Sequence, residues 1–321
     1  MESQTNSSAA KGIRPDTGGG SDARARPTED NTFTVTAPSL ELPTGGGAVS
    51  GIGEKFAANP VSGTASMSVP IATSLGRTGF GPRLALSYDS GSGNGLFGFG
   101  WSLGLPQITR RTDKGLPTYA DENESDTFLI SGAEDLVPFL NADAGRYEDR
   151  LAAPGYLLHR YRPRVEGLFA RIERWTRLVD GDVHWRSISR DNSLAVYGRD
   201  VNSRVADPAD ARRVFSWLIC ESRDDKGNVV LYDYKPEDGV GADLVSAHEH
   251  NRGPADDLRR ATNRHLKRIR YGNRRPHLDG AGERPRFLDA AQFDAVAWMF
   301  DVVFDYGEHD LDVPAPAEIA A

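Results

Sequence analysis

Two spacings in the chain fit catalytic patterns, and both fall in one glycine-rich stretch. Gly100-Trp101-Ser102-Leu103-Gly104 fits G-x-S-x-G, in which a strained strand-to-helix turn exposes a nucleophilic serine. Gly93-Asn94-Gly95-Leu96-Phe97-Gly98 fits G-x-G-x-x-G, which cradles a pyrophosphate when it leads from a strand into a helix. Neither finds the helix it needs. Glycines continue through Gly100, and Pro106 follows, so the stretch reads as a glycine-rich strand or loop. Phe97, Phe99, Trp101 and Leu103 recur every second residue and are expected to insert on one side. His248-Glu249-His250 places two imidazoles on one side of an extended segment, but the third ligand of a zinc site is not indicated. Glu122 and Glu124 have the acid-x-acid spacing used in ADP-ribosyl transfer, here in a polar turn. Residues 259–275 hold eight basic residues and no acid: Arg259, Arg260, Arg264, Lys267, Arg268, Arg270, Arg274 and Arg275. Such a run can bind an acidic partner or nucleic acid. The plainer reading is a strand whose arginines meet solvent or the acidic excess elsewhere. Cys220 lies in an apolar strand without a neighbouring cation, as a small buried hydrophobe would. From the residues themselves, no catalytic, cofactor-binding or metal site is expected.

The elements that would position these residues are strands. Of 321 residues, 34 are Gly and 19 Pro; 38% are hydrophobic and 26% charged, enough apolar material for a core. The net charge is −8, which argues against a phosphate-gripping nucleic-acid binder. A single Cys excludes an intrachain disulfide. The start of the chain lacks the pattern of a secretory signal, and no apolar run approaches a membrane span. Residues 1–40 are poor in large apolar groups and are expected to form a disordered tail. One domain is expected over 41–321. Period-2 alternation marks strands at Ser66–Thr73, Arg83–Tyr88, Gln107–Thr112, Thr127–Ile130, Asp135–Leu140, Phe169–Thr176, Val183–Ser189, Leu194–Tyr197, Val214–Ser222, Asn228–Tyr234, Leu266–Tyr271 and Val296–Tyr306. Pro70 places the first at an edge or a bulge. Residues 179–182 and 224–228 read as hairpin turns. Pro208–Arg213, capped by Asp207, reads as a short helix, and Gln292–Met299 could begin as one. The expected fold is all-β: a large antiparallel multi-stranded sheet or sandwich.

These residues also resemble a known family. Gly51-Ile-Gly-Glu-Lys-Phe56, Gly63-Thr-Ala-Ser-Met-Ser-Val-Pro-Ile71, Pro82-Arg-Leu-Ala-Leu-Ser-Tyr-Asp89 and Gly95-Leu-Phe-Gly-Phe-Gly-Trp-Ser-Leu103 are similar to the opening of the SpvB / toxin-complex B (TcB) family. Phe215-Ser-Trp-Leu218, Asp225-Lys-Gly-Asn228, Tyr232-Asp-Tyr234, Leu266-Lys-Arg-Ile-Arg-Tyr-Gly-Asn273 and Val303-Phe-Asp-Tyr-Gly-Glu-His-Asp310 resemble its later blocks. The resemblance runs from about Leu42 to Asp310. It implies a non-enzymatic component of a bacterial toxin, a wall of a β-shell that encloses a cytotoxic effector. The implied partners are a TcC-type Rhs-repeat protein and, through regions beyond this chain, a TcA-type pore-forming subunit. Nucleic acid and direct membrane insertion are not implied. The domain is expected to be truncated at its C-terminus, made in the bacterial cytoplasm and released without a signal peptide. Unpaired strands such as Val296–Tyr306 should then make it prone to association. Two other readings are a hydrolase using Ser102, and an N-terminal translocation or accessory domain of an SpvB-like ADP-ribosyltransferase toxin.

Overall fold

The computed structural model describes residues 63–307 apart from 132–133, 168, 240–241, 255 and 289–296, together with the backbone of 55–58. The expected tail over 1–40 and most of Gln292–Met299 lie outside the described residues.

Strands dominate, as the alternation requires. A small antiparallel sheet is built from β1 (Lys55–Ala58), β2 (Ala65–Ile71) and β3 (Leu84–Asp89). A tight hairpin of β4 (Asn94–Gly95) and β5 (Gly98–Phe99) then leads to β6 (Trp101–Leu103), giving the order β1-β2-β3-β6. Pro70 is not on an edge strand, because β2 lies between β1 and β3. The ladder of β1 reaches Ser68 and stops, so the N–H that Pro70 lacks falls beyond it.

The remaining strands form one large sheet. They are β7 (Gln107–Arg110), β8 (Phe128–Ile130), β9 (Glu134–Pro138), β10 (Glu148–Asp149), β11 (Tyr156–Pro163), β12 (Arg171–Arg177) and β13 (Val183–Ile188). There follow β14 (Leu194–Tyr197), β15 (Arg204–Asp207), β16 (Asp210–Arg223), β17 (Val229–Pro236), β18 (Arg264–Asn273) and β19 (Trp298–Val303). Neighbouring strands run β7-β8-β9-β11-β12-β13-β14-β16, and β16 pairs again with β7. The sheet therefore closes into an eight-stranded barrel, which leaves those strands no free edge. β16 is 14 residues long because it serves twice. Ser216 and Trp217 pair with both β15 and β7, whereas Glu221–Arg223 pair with both β14 and β17. From β17 the sheet leaves the barrel and continues through β18 to β19.

Side chains at every second position fill the barrel. Ile108, Phe128, Ile130, Leu136, Tyr161, Ile172, Trp185, Tyr197, Trp217 and Ile219 form one buried cluster. A second cluster lies between the small sheet and the extension: Leu84 and Ile71 pack with Val230, Tyr234, Leu266, Ile269 and Tyr271. Phe300, Val302 and Phe304, which alternate along the last strand and just beyond it, pack against it. Residues 276–288 form a strap on the barrel's outside, where Phe287 packs on Trp175 and Leu158, and Arg223 donates to the Pro285 carbonyl at 2.6 Å.

Two local expectations change. Pro208 and Ala209 form the turn of the β15–β16 hairpin, not a helix; Asp207 accepts a hydrogen bond from Ala209 N at 2.9 Å, and Asp207 pairs with Asp210. The same Asp side chain can cap a helix or close a turn, and strand pairing decides. Tyr156–Pro163 is a full strand that alternation did not reveal, because Leu158 is buried outward and Tyr161 inward. Among the described residues, no helix is long and apolar enough to cross a membrane.

Candidate functional site

Ser102 sits in the middle of β6, a strand and not a strand-to-helix elbow. Its hydroxyl donates to the Ser87 carbonyl at 3.4 Å, across the β3–β6 pair. It lines a cavity of about 260 Å³ with Leu96, Phe97, Trp101, Leu218 and Tyr306, and the described lining includes no His and no carboxylate. The group that would take the serine proton is therefore missing from that wall. Gly93–Gly98 fold into the β4–β5 hairpin, so the glycines serve packing: a Cβ on Gly100 would stand 2.6 Å from the Tyr88 ring, which packs on Trp101 with centroids 5.3 Å apart. The expectation that four apolar residues insert together holds for three. Leu103 and Trp101 pack inward and Phe97 meets Phe304, but Phe99 is 65% exposed, because positive φ at Gly98 and Gly100 breaks the alternation around it.

The His248-Glu249-His250 segment is a 3-10 turn (Ala247–Arg252), not an extended strand. His248 and His250 are exposed, and the buried Glu249 pairs with Arg260 and, at 3.6 Å, with Arg252. No group of three or more His, Cys, Asp or Glu among the described residues could hold a metal ion. Glu122 is exposed; Glu124, held at φ +51°, pairs with Arg146 and accepts from the Tyr161 hydroxyl at 3.3 Å. The two acids thus have different environments.

Much of the basic run is consumed internally. Arg268 pairs with Asp301 at 2.5 Å and Arg270 with Asp233 at 3.0 Å, each across the sheet, while Lys267 donates to the Phe304 carbonyl at 3.1 Å. Arg259 pairs with Asp257, and Arg264 donates to the carbonyls of Ala261, Thr262 and Asn263. Arg274 and Arg275 are exposed. Four of the eight thus meet carboxylates, two meet backbone carbonyls and two are exposed. Cys220 is buried beside Leu194 and Val196, and burial pushes its thiol up to about 12.

A charged cluster that sequence reading missed closes one end of the barrel. The Arg110 side chain is fully buried. Its guanidinium donates to Asp121 at 2.6 and 2.9 Å, to Asp126 at 2.7 Å and to the Val214 carbonyl at 2.7 Å. It also stacks on Tyr119, Phe128 and Trp217. Arg174 shares Asp121 at 2.8 Å. Burial raises the Asp126 pKa, but hydrogen bonds from Thr118 and Tyr119 and the charge of Arg110 outweigh it and leave the carboxyl below its ordinary value. Four of this arginine's five N–H groups are spent on the protein, so the cluster locks a barrel end.

Comparison with known proteins decides the family. Residues 59–321 match the family described as Salmonella virulence plasmid 65kDa B protein, SpvB. The chain belongs to the SpvB family. The mono(ADP-ribosyl)transferase SpvB of Salmonella typhimurium is 36% identical over 297 residues, covering 90% of this chain and 46% of that protein. The chain therefore spans about half the length of the curated SpvB relatives it matches. The solved N-terminal domain of effector protein SpvB from Salmonella typhimurium strain LT2 superposes with a TM-score of 0.64 at 36% identity, covering 78% of this chain and 76% of that one. TcdB2-TccC3 gives a TM-score of 0.66 at 31% identity, over 87% of this chain and 13% of that one. The Photorhabdus luminescens Tc holotoxin pore gives 0.64 at 32%, over 88% and 12%. The resemblance read from the ordered sequence blocks is thus confirmed.

Proposed function

We propose that this SpvB-family chain is a non-enzymatic structural module of a bacterial toxin, one panel of a β-walled shell that holds an effector. The observation that supports it best is the likeness to TcdB2-TccC3, which takes in 87% of this chain and a small fraction of a much larger assembly. A closed barrel with a sheet running out of it suits a wall: backbone ladders supply stiffness, and the extension gives a place for further strands to join. The partner on this reading is a TcC-type Rhs-repeat protein, with a TcA-type pore subunit engaged by other parts of the toxin. Co-expression with the remaining TcB regions and a TcC-type protein tests it. The expected result is a stable complex that protects the effector from protease. A well-folded chain that does not co-purify overturns the shell role.

A second reading is favoured by the 36% identity with mono(ADP-ribosyl)transferase SpvB. Here the chain is an accessory or translocation domain that accompanies a transferase, and no transfer chemistry resides in it. Fusing the chain to a reporter enzyme and measuring delivery into host cells separates the two. Delivery without any TcC-type partner favours the accessory role.

A further inference from the structure

We propose that the cavity between the strap and the outer face of β11–β13 binds a small carboxylate, anchored by the guanidinium of Arg186. This site is independent of the shell reading and of the barrel-end cluster.

The cavity has a volume of about 410 Å³, within the range of small-molecule sites. Arg186 lines it and is only 5% exposed. The residue is held from three sides. Its guanidinium lies 3.8 Å over the Trp175 ring and 4.6 Å from that of Phe287, on the strap. Its Nε donates to His184 Nε2 at 3.3 Å, and burial keeps that imidazole neutral and able to accept. Among the described residues, the two terminal nitrogens have no hydrogen-bond partner and no carboxylate within ion-pair distance; Glu221 and Glu173 act on the guanidinium only at longer range. The nearby acids are already committed. Glu173 is taken by Arg171 at 2.9 Å and by the Trp175 indole N–H at 2.9 Å, and Glu221 by Arg199 and Arg223. Burial lowers the Arg186 pKa to about 9, so it stays charged at neutral pH. A buried cation whose neighbouring carboxylates are shared with other arginines gains from a further anion, and an in-plane pair of N–H donors matches the two oxygens of a carboxylate.

The surroundings select the charge and body of the ligand. Five arginines and four carboxylates line the cavity, an excess of one positive charge. A monoanion balances it, whereas a phosphate dianion would overshoot. Leu158, Ile188 and Leu194 supply an apolar wall for a hydrocarbon or aromatic body.

The test uses the whole chain with benzoate, its neutral isostere benzamide and inorganic phosphate, measured by equilibrium dialysis and NMR titration. Benzoate should bind saturably, with benzamide and phosphate weaker by about tenfold or more. Arg186→Lys keeps the charge but loses the planar fork, and should weaken benzoate by about tenfold. If that variant does not fold, the native protein still decides: saturable shifts must appear at the Trp175 indole N–H and the Arg186 side chain. Absence of saturable shifts there, equal binding of benzamide, tighter binding of phosphate, or a folded Arg186→Lys that binds benzoate unchanged would each overturn the assignment.

Discussion

Removing Arg110 would take from Asp126 the cation it pairs with and leave Asp121 to Arg174. The Arg110 side chain is fully buried, so water does not replace it. Arg110→Ala should cost about 3–5 kcal/mol, the usual penalty for stranding buried charge, a large share of a domain's total stability. Urea unfolding checks it. The pH dependence follows from Asp126. Its carboxyl is held below the ordinary value, so its contribution is complete above about pH 4 and is lost as pH falls through the lowered pKa. The urea midpoint should therefore drop on acidification, and less steeply in Asp126→Asn. Cys220 behaves oppositely: burial pushes its thiol up to about 12, so a thiol reagent at pH 8 should label it only after unfolding. Labelling of the native protein would contradict this burial. The sequence offered little warning of the Arg110 cluster. Its partners lie 11, 16 and 104 positions away, and only barrel closure brings Val214 beside β7. By contrast, the cysteine was legible, because its burial is decided by neighbours in its own strand.

Strands whose two faces differ were legible as elements. Val183–Ser189 was read nearly to the residue from its alternation, and Leu194–Tyr197 as a short apolar run bounded by turns, with Tyr197 in the barrel cluster and Leu194 and Val196 in another. β11 was not, because the strap buries its outer face and erases the alternation. Closure of the barrel was also hidden, since it depends on the pairing of β14 and β16, set by long-range register. That seam has a sensitive point. Gly198 follows β14 with φ +63°, and its N–H donates to the Leu218 carbonyl at 2.8 Å. A Cβ there would lie 2.3 Å from the Trp217 ring, which fills the barrel core. Gly198→Ala should therefore both strain the backbone and displace Trp217, costing more than about 1 kcal/mol and changing tryptophan fluorescence. An unchanged unfolding midpoint would show that the seam can relax around an added methyl.

For the whole molecule, the contrast between a closed barrel and an open extension sets how it meets its neighbours. The barrel's eight strands satisfy one another, whereas β19, among the described strands, pairs on one side only, with β18. Its inward face carries Phe300 and Val302, and Met299 on the other face is 40% exposed. An apolar edge of this kind recruits another strand, and natural proteins suppress that with lysine. The net charge of −8 opposes association at long range, but salt screens it beyond about 10 Å while leaving edge pairing intact. Association of the chain should therefore grow with concentration and with salt, and Met299→Lys should reduce it without lowering the unfolding midpoint. Sizing chromatography across a concentration series reads both effects. A monomer at every concentration, or a Lys variant that associates as strongly, would move the joining surface away from β19.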